Sequence, residues 1–427
     1  MTYVNWALTS NAMGKKETNF KQTDIGLIPH DWEVTSIEEL GPMSKGFGIS
    51  RAESLTGNIP AVRYGEIYTN HNDYIRSFTS FISVETAKRA RRINSGDLLF
   101  TASGETKEGI GKCVAFIDDY EAYAGGDIII VSTTDQDSMF LGYALNSPIA
   151  KKQKTNFGQG DTVVHISAHT LGLVQVPLPP LKEQKRIAEV LSHFDEHIDN
   201  LVALLEKRKQ VKAATMQALL SGTTRLPGFT QPWEEMMLGD LCEFRTGYTP
   251  SKSVRTFWKN GTIPWFRMDD IRENGRKLLR AKQYVTEEAV KGGGLFEAGS
   301  FILATTATIG EHAWLIADSL ANQRFTNLKI RKSLKNTLSA HFFFYYLYII
   351  DEYCKRNTKT GTFAAVDIYD LKAFKVPTPP LKEQEAIASV LSNMDRGIEA
   401  LEQEIKKYRQ MKEGAMEELL TGKVRLV

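Results

Sequence analysis

The sequence has few cysteines, no long hydrophobic run and almost no net charge. Its three cysteines, Cys113, Cys242 and Cys354, lie far apart without paired spacing. That spacing argues against a cysteine metal site and indicates a reducing compartment. The longest apolar run, from Phe342 to Ile350, is about half of the ~20 residues that a membrane-spanning helix needs. The composition therefore favours a folded protein without a transmembrane helix.

The net charge of +2 is not by itself typical of a nucleic-acid-binding protein. The two halves differ, however. Residues 20–176 carry 14 basic and 19 acidic residues, a net of −5, and residues 225–376 carry 22 and 16, a net of +6. Any binding of a polyanion must therefore use local patches rather than the overall field.

Common catalytic motifs are also missing. Gly104 and Gly109 have the spacing of a phosphate-binding loop, but Ile110 occupies its lysine position and Lys112 comes two residues late. This segment is predicted to be a turn between strands. The chain has no Asn/Asp-Pro-Pro-Tyr methyltransferase motif and no Gly-x-Ser-x-Gly. We therefore expect no catalytic residue in this chain.

The sequence does contain a long internal repeat. Residues 176–226 align with residues 376–426 without a gap, and 25 of the 51 positions are identical. Both copies contain Pro-Pro-Leu-Lys-Glu-Gln near their start and Leu-Leu-x-Gly near their end, at Gly222 and Gly422. Such a repeat at a fixed interval indicates a duplicated structural unit.

Each copy is predicted to form one helix of about 40 residues, ~60 Å long. Proline suits the first helical turn, and Glu183 and Glu383 favour the positive end of the helix dipole there. Gly222 and Gly422 suit the left-handed conformation just past a helix end. Apolar positions alternate at spacings of four and three, as in a coiled coil. This seam consists of Ile187, Leu191, Phe194, Ile198, Leu201 and Leu205 in the first helix, and Ile387, Leu391, Met394, Ile398, Leu401 and Ile405 in the second.

The predicted fold is α/β: two pseudo-twofold-related α/β domains joined by two long helices that form an antiparallel coiled coil. The predicted boundaries are 1–19 (leader or disordered), 20–178 (first domain), 179–223 (first helix), 224–378 (second domain), 379–422 (second helix) and 423–427 (tail). Strands are expected at 97–101, 113–117 and 127–132. One further helix is expected in each half, near 138–154 and 337–356.

The string His193-Phe194-Asp195-Glu196-His197 matches a zinc-protease motif, H-x-x-E-H. Phe194 and Ile198 belong to the seam, however, so both histidines are predicted to face the solvent. The second copy has Asn393 and Gly397 at the histidine positions. We therefore interpret the string as a solvated helix face and predict no metal site.

The duplicated Pro-x-Pro-Pro-Leu-x-Glu-Gln helix start, the Leu-Leu-x-Gly end and the segment Ile28-Pro29-His30-Asp31-Trp32-Glu33 resemble the specificity subunit of type I restriction–modification systems. The resemblance covers residues ~20–427. It implies two target-recognition domains that each read one half of a bipartite, asymmetric DNA site. It further implies that the helices set the separation of these domains and dock two modification subunits.

The same resemblance implies that this chain binds no cofactor. Adenine-N6 methylation and ATP-dependent cleavage would reside in the modification and restriction subunits, which use S-adenosylmethionine, ATP and Mg. The expected location is the cytoplasm of a bacterium or archaeon, in association with DNA and not with a membrane. Two alternatives stay open at this point: a non-enzymatic scaffold whose end domains bind proteins, and a metalloenzyme.

Residues that contact DNA are predicted from their chemistry, because the two halves have diverged too far for roles to be transferred. Lysine and arginine suit phosphates, and asparagine, glutamine and arginine suit base edges. A further basic cluster at residues 88–92 is predicted to lie on a helix surface. The predicted DNA contacts are Arg63, Tyr64, Lys112, Lys151, Lys152, Lys154, Asn156, Gln159, Arg245, Tyr248, Thr249, Ser251, Lys252, Arg267, Gln323, Arg324, Lys359, Thr360 and Thr362.

Overall fold

The computed structural model describes residues 19–358 and 364–427. Its contacts divide the chain into two compact units: the first holds residues up to Val202 together with Gln403–Val427, and the second holds Ala203–Glu402. The expected leader at the N-terminus lies outside the described residues up to residue 18. Each unit is an α/β domain that also contains part of each long helix.

The first unit is built on two four-stranded sheets. One is antiparallel, in the order Cys113–Ala115, Asp97–Thr101, Ile128–Ser132 and Met43–Lys45. The other has the order Ser80–Ile82, Ile59–Val62, Ala122–Ala124 and Arg91–Ile93, with one parallel pair at its centre. The remaining strands are Phe20–Thr23, Gly26–Pro29, Glu33–Ser36, Ser103–Gly104, Val164–His165 and Gln175–Leu178. The short helices are Ile37–Leu40, Tyr64–Thr69, Val84–Ala87, Ser138–Ala144, Pro148–Phe157 and Ala168–Gly172.

The central strand Asp97–Thr101 is buried along its whole length because both faces of its sheet are covered. Leu98 and Phe100 belong to a core that includes Phe140, whereas Leu99 belongs to a second core that includes Phe116. A strand covered on both sides appears in the sequence as a continuous apolar run. The three strands predicted here are therefore confirmed, within a few residues at their ends.

The single helix predicted near residues 138–154 is wrong, because the structure has two helices there. Ser138–Ala144 ends before Asn146, and Pro148–Phe157 starts anew. The Ser147 hydroxyl accepts the N–H of Ala150 and caps the second helix, and Pro148 suits its first turn. The helix predicted in the second half is present as Ala340–Arg356.

The second unit has a five-stranded sheet in the order Cys242–Thr246, Phe325–Ile330, Phe301–Ala304, His312–Leu315 and Lys277–Leu278. A three-stranded sheet has the order Tyr284–Val285, Ile263–Phe266 and Leu320–Ala321. Glu234–Met237 pairs with Lys375–Thr378. The short helices are Leu238–Leu241, Met268–Asn274 and Ile368–Lys372.

In each unit the strand that precedes a long helix pairs with a strand near the start of the same domain. Gln175–Leu178 is antiparallel to Glu33–Ser36, as Lys375–Thr378 is to Glu234–Met237. The chain therefore leaves each domain beside the point at which it enters and continues directly into a long helix.

The long helices are Leu181–Leu220 and Leu381–Leu420, each 40 residues. Gly222 and Gly422 have φ of 72° and 69°, the left-handed conformation predicted for them. In the first unit the start of the first helix and the end of the second share one core, which includes Ile187 and Leu419. In the second unit Leu219 and Ile387 share a core in the same way. Within each unit the two helices are therefore antiparallel, as predicted.

The predicted seam is buried in its first helix and less uniformly in its second. All six seam residues of the first helix are buried, as are Ile387, Leu391 and Ile405. Met394, Ile398 and Leu401 are only half-buried. No helix within residues 19–358 or 364–427 combines the length and the apolarity needed to cross a membrane.

Candidate DNA interface

Both units contain the same close contact between a glycine loop and a neighbouring turn. A Cβ on Gly46 would lie 2.1 Å from the carbonyl oxygen of Gly125, and one on Gly247 would lie 2.3 Å from that of Asn322. The next residue in each loop donates its N–H to an alanine carbonyl, from Phe47 to Ala124 at 3.2 Å and from Tyr248 to Ala321 at 2.9 Å. Only glycine permits such an approach of two backbones.

A predicted DNA-contacting arginine starts a helix beside this turn in each unit. Gly125 donates its N–H to Val62, which precedes Arg63, and Asn322 donates to Phe266, which precedes Arg267. The Arg63 guanidinium pairs with Glu66 at 3.2 Å. That of Arg267 lies 3.4 Å from Asp269. Both arginines are half-buried, so each guanidinium is oriented by a carboxylate. We call the surface formed by the glycine loop and its neighbouring turn the loop face, and each arginine lies at its edge.

In the second unit the structure brings together predicted segments that lie far apart in the sequence. The Thr249 hydroxyl donates to Oε1 of Gln323 at 2.6 Å. Gln323, Arg324, Ser251 and Lys252 are exposed. These side chains form a polar face on which amide and guanidinium groups are available to base edges and phosphates.

The turn that holds Arg324 also borders the segment after residue 363. Thr305 donates its N–H to Arg324, and Val366 donates to Thr305. Three of the predicted contacts, Lys359, Thr360 and Thr362, lie outside the described residues, so their placement stays a prediction.

In the first unit the corresponding face continues to the end of a helix. Ala102 donates its N–H to Asp127, and the bonded pair Gln159–His165 lies beside Ser103. Gln159 is exposed. The other exposed candidates of this unit are Tyr64, Lys151, Lys152 and Asn156.

Lys154 is a correction to the sequence prediction, because it lies inside the domain. Its side chain is 1% exposed, and Nζ donates to the carbonyls of Gly111 and Leu145, both at 2.7 Å. Burial lowers the pKa of Lys154 to about 8. Its role is to satisfy two buried carbonyls, and it is not available to a phosphate.

Three other candidates are held by the protein itself. Lys112 donates to the carbonyls of Tyr68 and His71, and burial lowers its pKa. The Arg245 guanidinium lies 4.4 Å from the ring centre of Phe296. The Tyr248 hydroxyl donates to Ala289 at 3.0 Å and accepts from the N–H of Lys291 at 2.8 Å. These three side chains contact other parts of the protein and stabilise the loops, so they are less available to DNA than the exposed candidates.

The prediction that His193 and His197 both face the solvent is only half right. His193 is exposed, whereas the ring of His197 lies edge-on to Tyr408 with ring centres 4.2 Å apart. His197 therefore helps to pack the two helices within the first unit. Across the two described ranges, no cluster of three or more His, Cys, Asp or Glu side chains could hold a metal ion.

The sequence prediction missed a half-buried lysine that the second helix contributes to the first domain. Lys412 Nζ donates to Asp73 at 2.9 Å and to Asp195 at 2.8 Å. The Tyr143 hydroxyl donates to the same Asp195 at 2.6 Å. Burial alone lowers the pKa of Lys412, but the two carboxylates outweigh it, so the net pKa is raised. The sequence alone could not show this role. Both helices carry a lysine at this position, Lys212 and Lys412, and only the structure shows which domain each one contacts.

The prediction for residues 88–92 is also wrong. The helix Val84–Ala87 ends before this cluster, and Arg91–Ile93 is a strand at the edge of its sheet. Arg91 and Arg92 are exposed on that strand. Arg91 pairs with Ala124, the residue that accepts the Phe47 N–H. The cluster therefore borders the loop face instead of covering a helix.

Both units are α/β domains that share the glycine loop and its turn and contain parts of the two long helices. The chain is therefore a protein built from two copies of one type of domain. The family described as "Type I restriction modification DNA specificity domain" matches residues 29–211 and 230–408. The chain belongs to this family.

The chain is similar to curated members of the family. It is 45% identical over 163 residues to the type I restriction enzyme EcoprrI specificity subunit of Escherichia coli. That match covers 38% of this chain and only 41% of the relative. It is also 26% identical to the putative MjaX specificity subunit of Methanocaldococcus jannaschii, over 96% of this chain and 98% of the relative.

Two solved structures share the fold. The type I restriction–modification S subunit from M. genitalium aligns with a TM-score of 0.57 and 16% identity, over 91% of this chain and 96% of that chain. A chain from a study of the assembly and conformational transition of the type I R-M system aligns with a TM-score of 0.61 and 19% identity, over 93% and 99%. At these identities the likeness concerns the fold alone.

Proposed function

We propose that this chain is the specificity subunit of a type I restriction–modification complex and reads a bipartite, asymmetric DNA target. One observation carries this proposal. The glycine loop and its turn recur in both units with the same backbone contacts, whereas the side chains on them differ. A shared backbone arrangement that carries different side chains suits two domains that recognise different DNA sequences.

The chain acts by binding and positioning. Exposed basic residues such as Lys152 and Lys252 contact phosphates, which fix the register on the duplex. Gln323 and Arg324 offer hydrogen bonds to base edges. Adenine methylation, which requires the base to be flipped out of the duplex, and ATP-dependent cleavage belong to the modification and restriction subunits with their S-adenosylmethionine, ATP and Mg.

The long helices provide the docking surface for two modification subunits. The second helix carries more acidic than basic residues, so it is a poor surface for DNA and better suited to protein. The complex is expected in the cytoplasm, on DNA.

A domain exchange tests the two-reader proposal. Residues 20–176 are replaced by the matching domain of a relative, and the variant is produced with its modification subunit. Sequencing of methylated genomic DNA should show one half-site changed and the other retained. The reciprocal exchange of residues 225–376 should change the other half-site. A simultaneous change of both half-sites in either variant would refute separate readers.

A further inference from the structure

The first domain exposes an apolar ring on a rigidly held loop. Phe47 is 51% exposed, yet the backbone on both sides of it is fixed. Gly46 is buried against Gly125, and Gly48 has φ of 81° with its Cβ position 2.3 Å from the carbonyl oxygen of Arg89. An apolar ring held in water is unfavourable, and the fixed backbone keeps it from folding back into the domain.

A second exposed ring and a turn without bulky side chains lie next to this loop. Tyr64 is 41% exposed at the start of its helix. Gly125 and Gly126 form the turn between the two segments, because Gly125 is bonded to Val62 just ahead of this helix. A Cβ on Gly126 would meet no atom within 4 Å. The space above the turn is therefore open to a ligand.

Three exposed cations border this loop, and one exposed carboxylate, Asp127, follows the turn. Lys45 immediately precedes the loop and is exposed, and the exposed Arg91 and Arg92 lie on the strand paired with Ala122–Ala124. An apolar ring between exposed cations suits a polyanion that also presents apolar surface, which describes DNA with its phosphates and its bases.

The second domain lacks this arrangement at the equivalent positions. Tyr248, the counterpart of Phe47, is tethered through its hydroxyl to the backbone of Ala289 and Lys291. Met268, the counterpart of Tyr64, is buried, with 6% exposure. The turn there carries exposed polar side chains, of which Gln323 is one, instead of glycines.

We propose that the two domains recognise DNA by different means, with Phe47 acting as an apolar wedge against a base step of the first half-site. Tyr64 packs beside the displaced base. The second domain reads its half-site through polar side chains. This inference rests on the proposed DNA-binding function. A wedge unstacks a step and kinks the duplex, so the first half-site should contain a flexible pyrimidine–purine step such as TA or CA/TG.

The test uses the full chain with its modification subunits and a duplex of the methylated motif. 2-Aminopurine, whose fluorescence rises when it is unstacked, is placed in turn in each half-site, at positions that are neither the adenine flipped for methylation nor its neighbours. We expect a rise in the first half-site only. Phe47→Ala should abolish it and weaken binding about 5- to 150-fold, the equivalent of about 1–3 kcal/mol per stacked base. Phe47→Leu should retain most of both, because leucine also serves as a wedge.

Leu55→Ala is the matched control, since Leu55 is an apolar residue of the same domain with 77% exposure. It should leave binding and fluorescence unchanged. Wild-type binding of the motif together with unaltered binding by Phe47→Ala would overturn the wedge and leave the DNA-binding function intact. An equal rise in both half-sites would overturn the difference between the domains. Failure of the wild-type complex to bind any methylated motif would overturn both proposals.

Discussion

The indole N–H of Trp32 donates to Oε2 of Glu183 at 3.0 Å, across 151 positions of the chain. Glu183 lies in the first turn of the first long helix and is 2% exposed. Arg425, just past the end of the second long helix, donates to the same carboxylate at 2.9 Å. In the second unit Trp233 and Arg225 bond to Glu383 in the same way. Each unit therefore ties the start of one long helix to the end of the other through a buried carboxylate.

Replacement of Arg425 by methionine should destabilise the protein. The Glu183 carboxylate would keep the N–H groups of Trp32 and Leu426 but lose its cation, and removal of one partner of a buried pair costs about 3 kcal/mol. Urea unfolding of the purified chain measures this loss. The control is Lys423→Met, because Lys423 pairs with Glu417 on the surface. It should change stability by less than about 1 kcal/mol, and an equal loss in both variants would contradict the prediction.

The sequence predicts the long helices well because their limits are set locally. Prolines at the start and Gly222 or Gly422 at the end act on the adjacent backbone. The partners of Glu183 were not predictable, because they are brought together only by the fold. Lys152 and Lys154 show the same limit for the site. They are two residues apart on one helix, yet one is exposed and the other buried, and the short helix gives too weak a pattern to tell which side faces the core.

Lys412→Met should impair recognition by the first domain although the residue follows the second domain in the chain. The change leaves Asp73 without its cation and Asp195 with Arg76 alone, at 3.1 Å, so the first domain is held less firmly on the second helix. Binding is measured with duplexes in which one half-site at a time is altered. The variant should lose discrimination at the first half-site and keep it at the second.

The matched variant is Lys212→Met, because Lys212 pairs with Asp395 in the second unit. It should impair the second half-site, and less severely, since the Asp395 side chain is 30% exposed and the Asp195 side chain 6%. Loss of both half-sites in either variant would show that the lysines do not act on single domains.

Stability should fall as the pH drops below about 6.5, in part through His312. This histidine is fully buried, with Nδ1 2.7 Å from Asp351, and burial lowers its pKa. The unfolded chain takes up a proton near the ordinary histidine pKa, whereas the folded chain does so only at lower pH. The unfolded state then binds more protons, so the free energy of unfolding decreases with falling pH.

Urea unfolding at about pH 7 and about pH 5.5 measures this dependence. One such histidine contributes at most about 1.4 kcal/mol per pH unit. His312→Asn should reduce the slope. His71, whose pKa is also lowered by burial, should give a further reduction in the double variant His312→Asn/His71→Asn. An unchanged slope in the single variant would rule out His312 as a source of the effect.

The last prediction separates surface lysines from the buried one on the helix Pro148–Phe157. The double variant Lys151→Ala/Lys152→Ala should weaken DNA binding and leave stability nearly unchanged. If both lysines neutralise phosphates, the slope of log K against log salt should fall by about 1.8. Lys154→Met should leave that slope unchanged but destabilise the first domain, because two buried carbonyls lose their donor at about 1–3 kcal/mol each. Binding titrations at several salt concentrations and urea unfolding measure the two effects. A reduced salt slope in Lys154→Met would contradict the burial of Lys154 inside the domain. An unchanged slope in the double variant would show that Lys151 and Lys152 do not contact DNA.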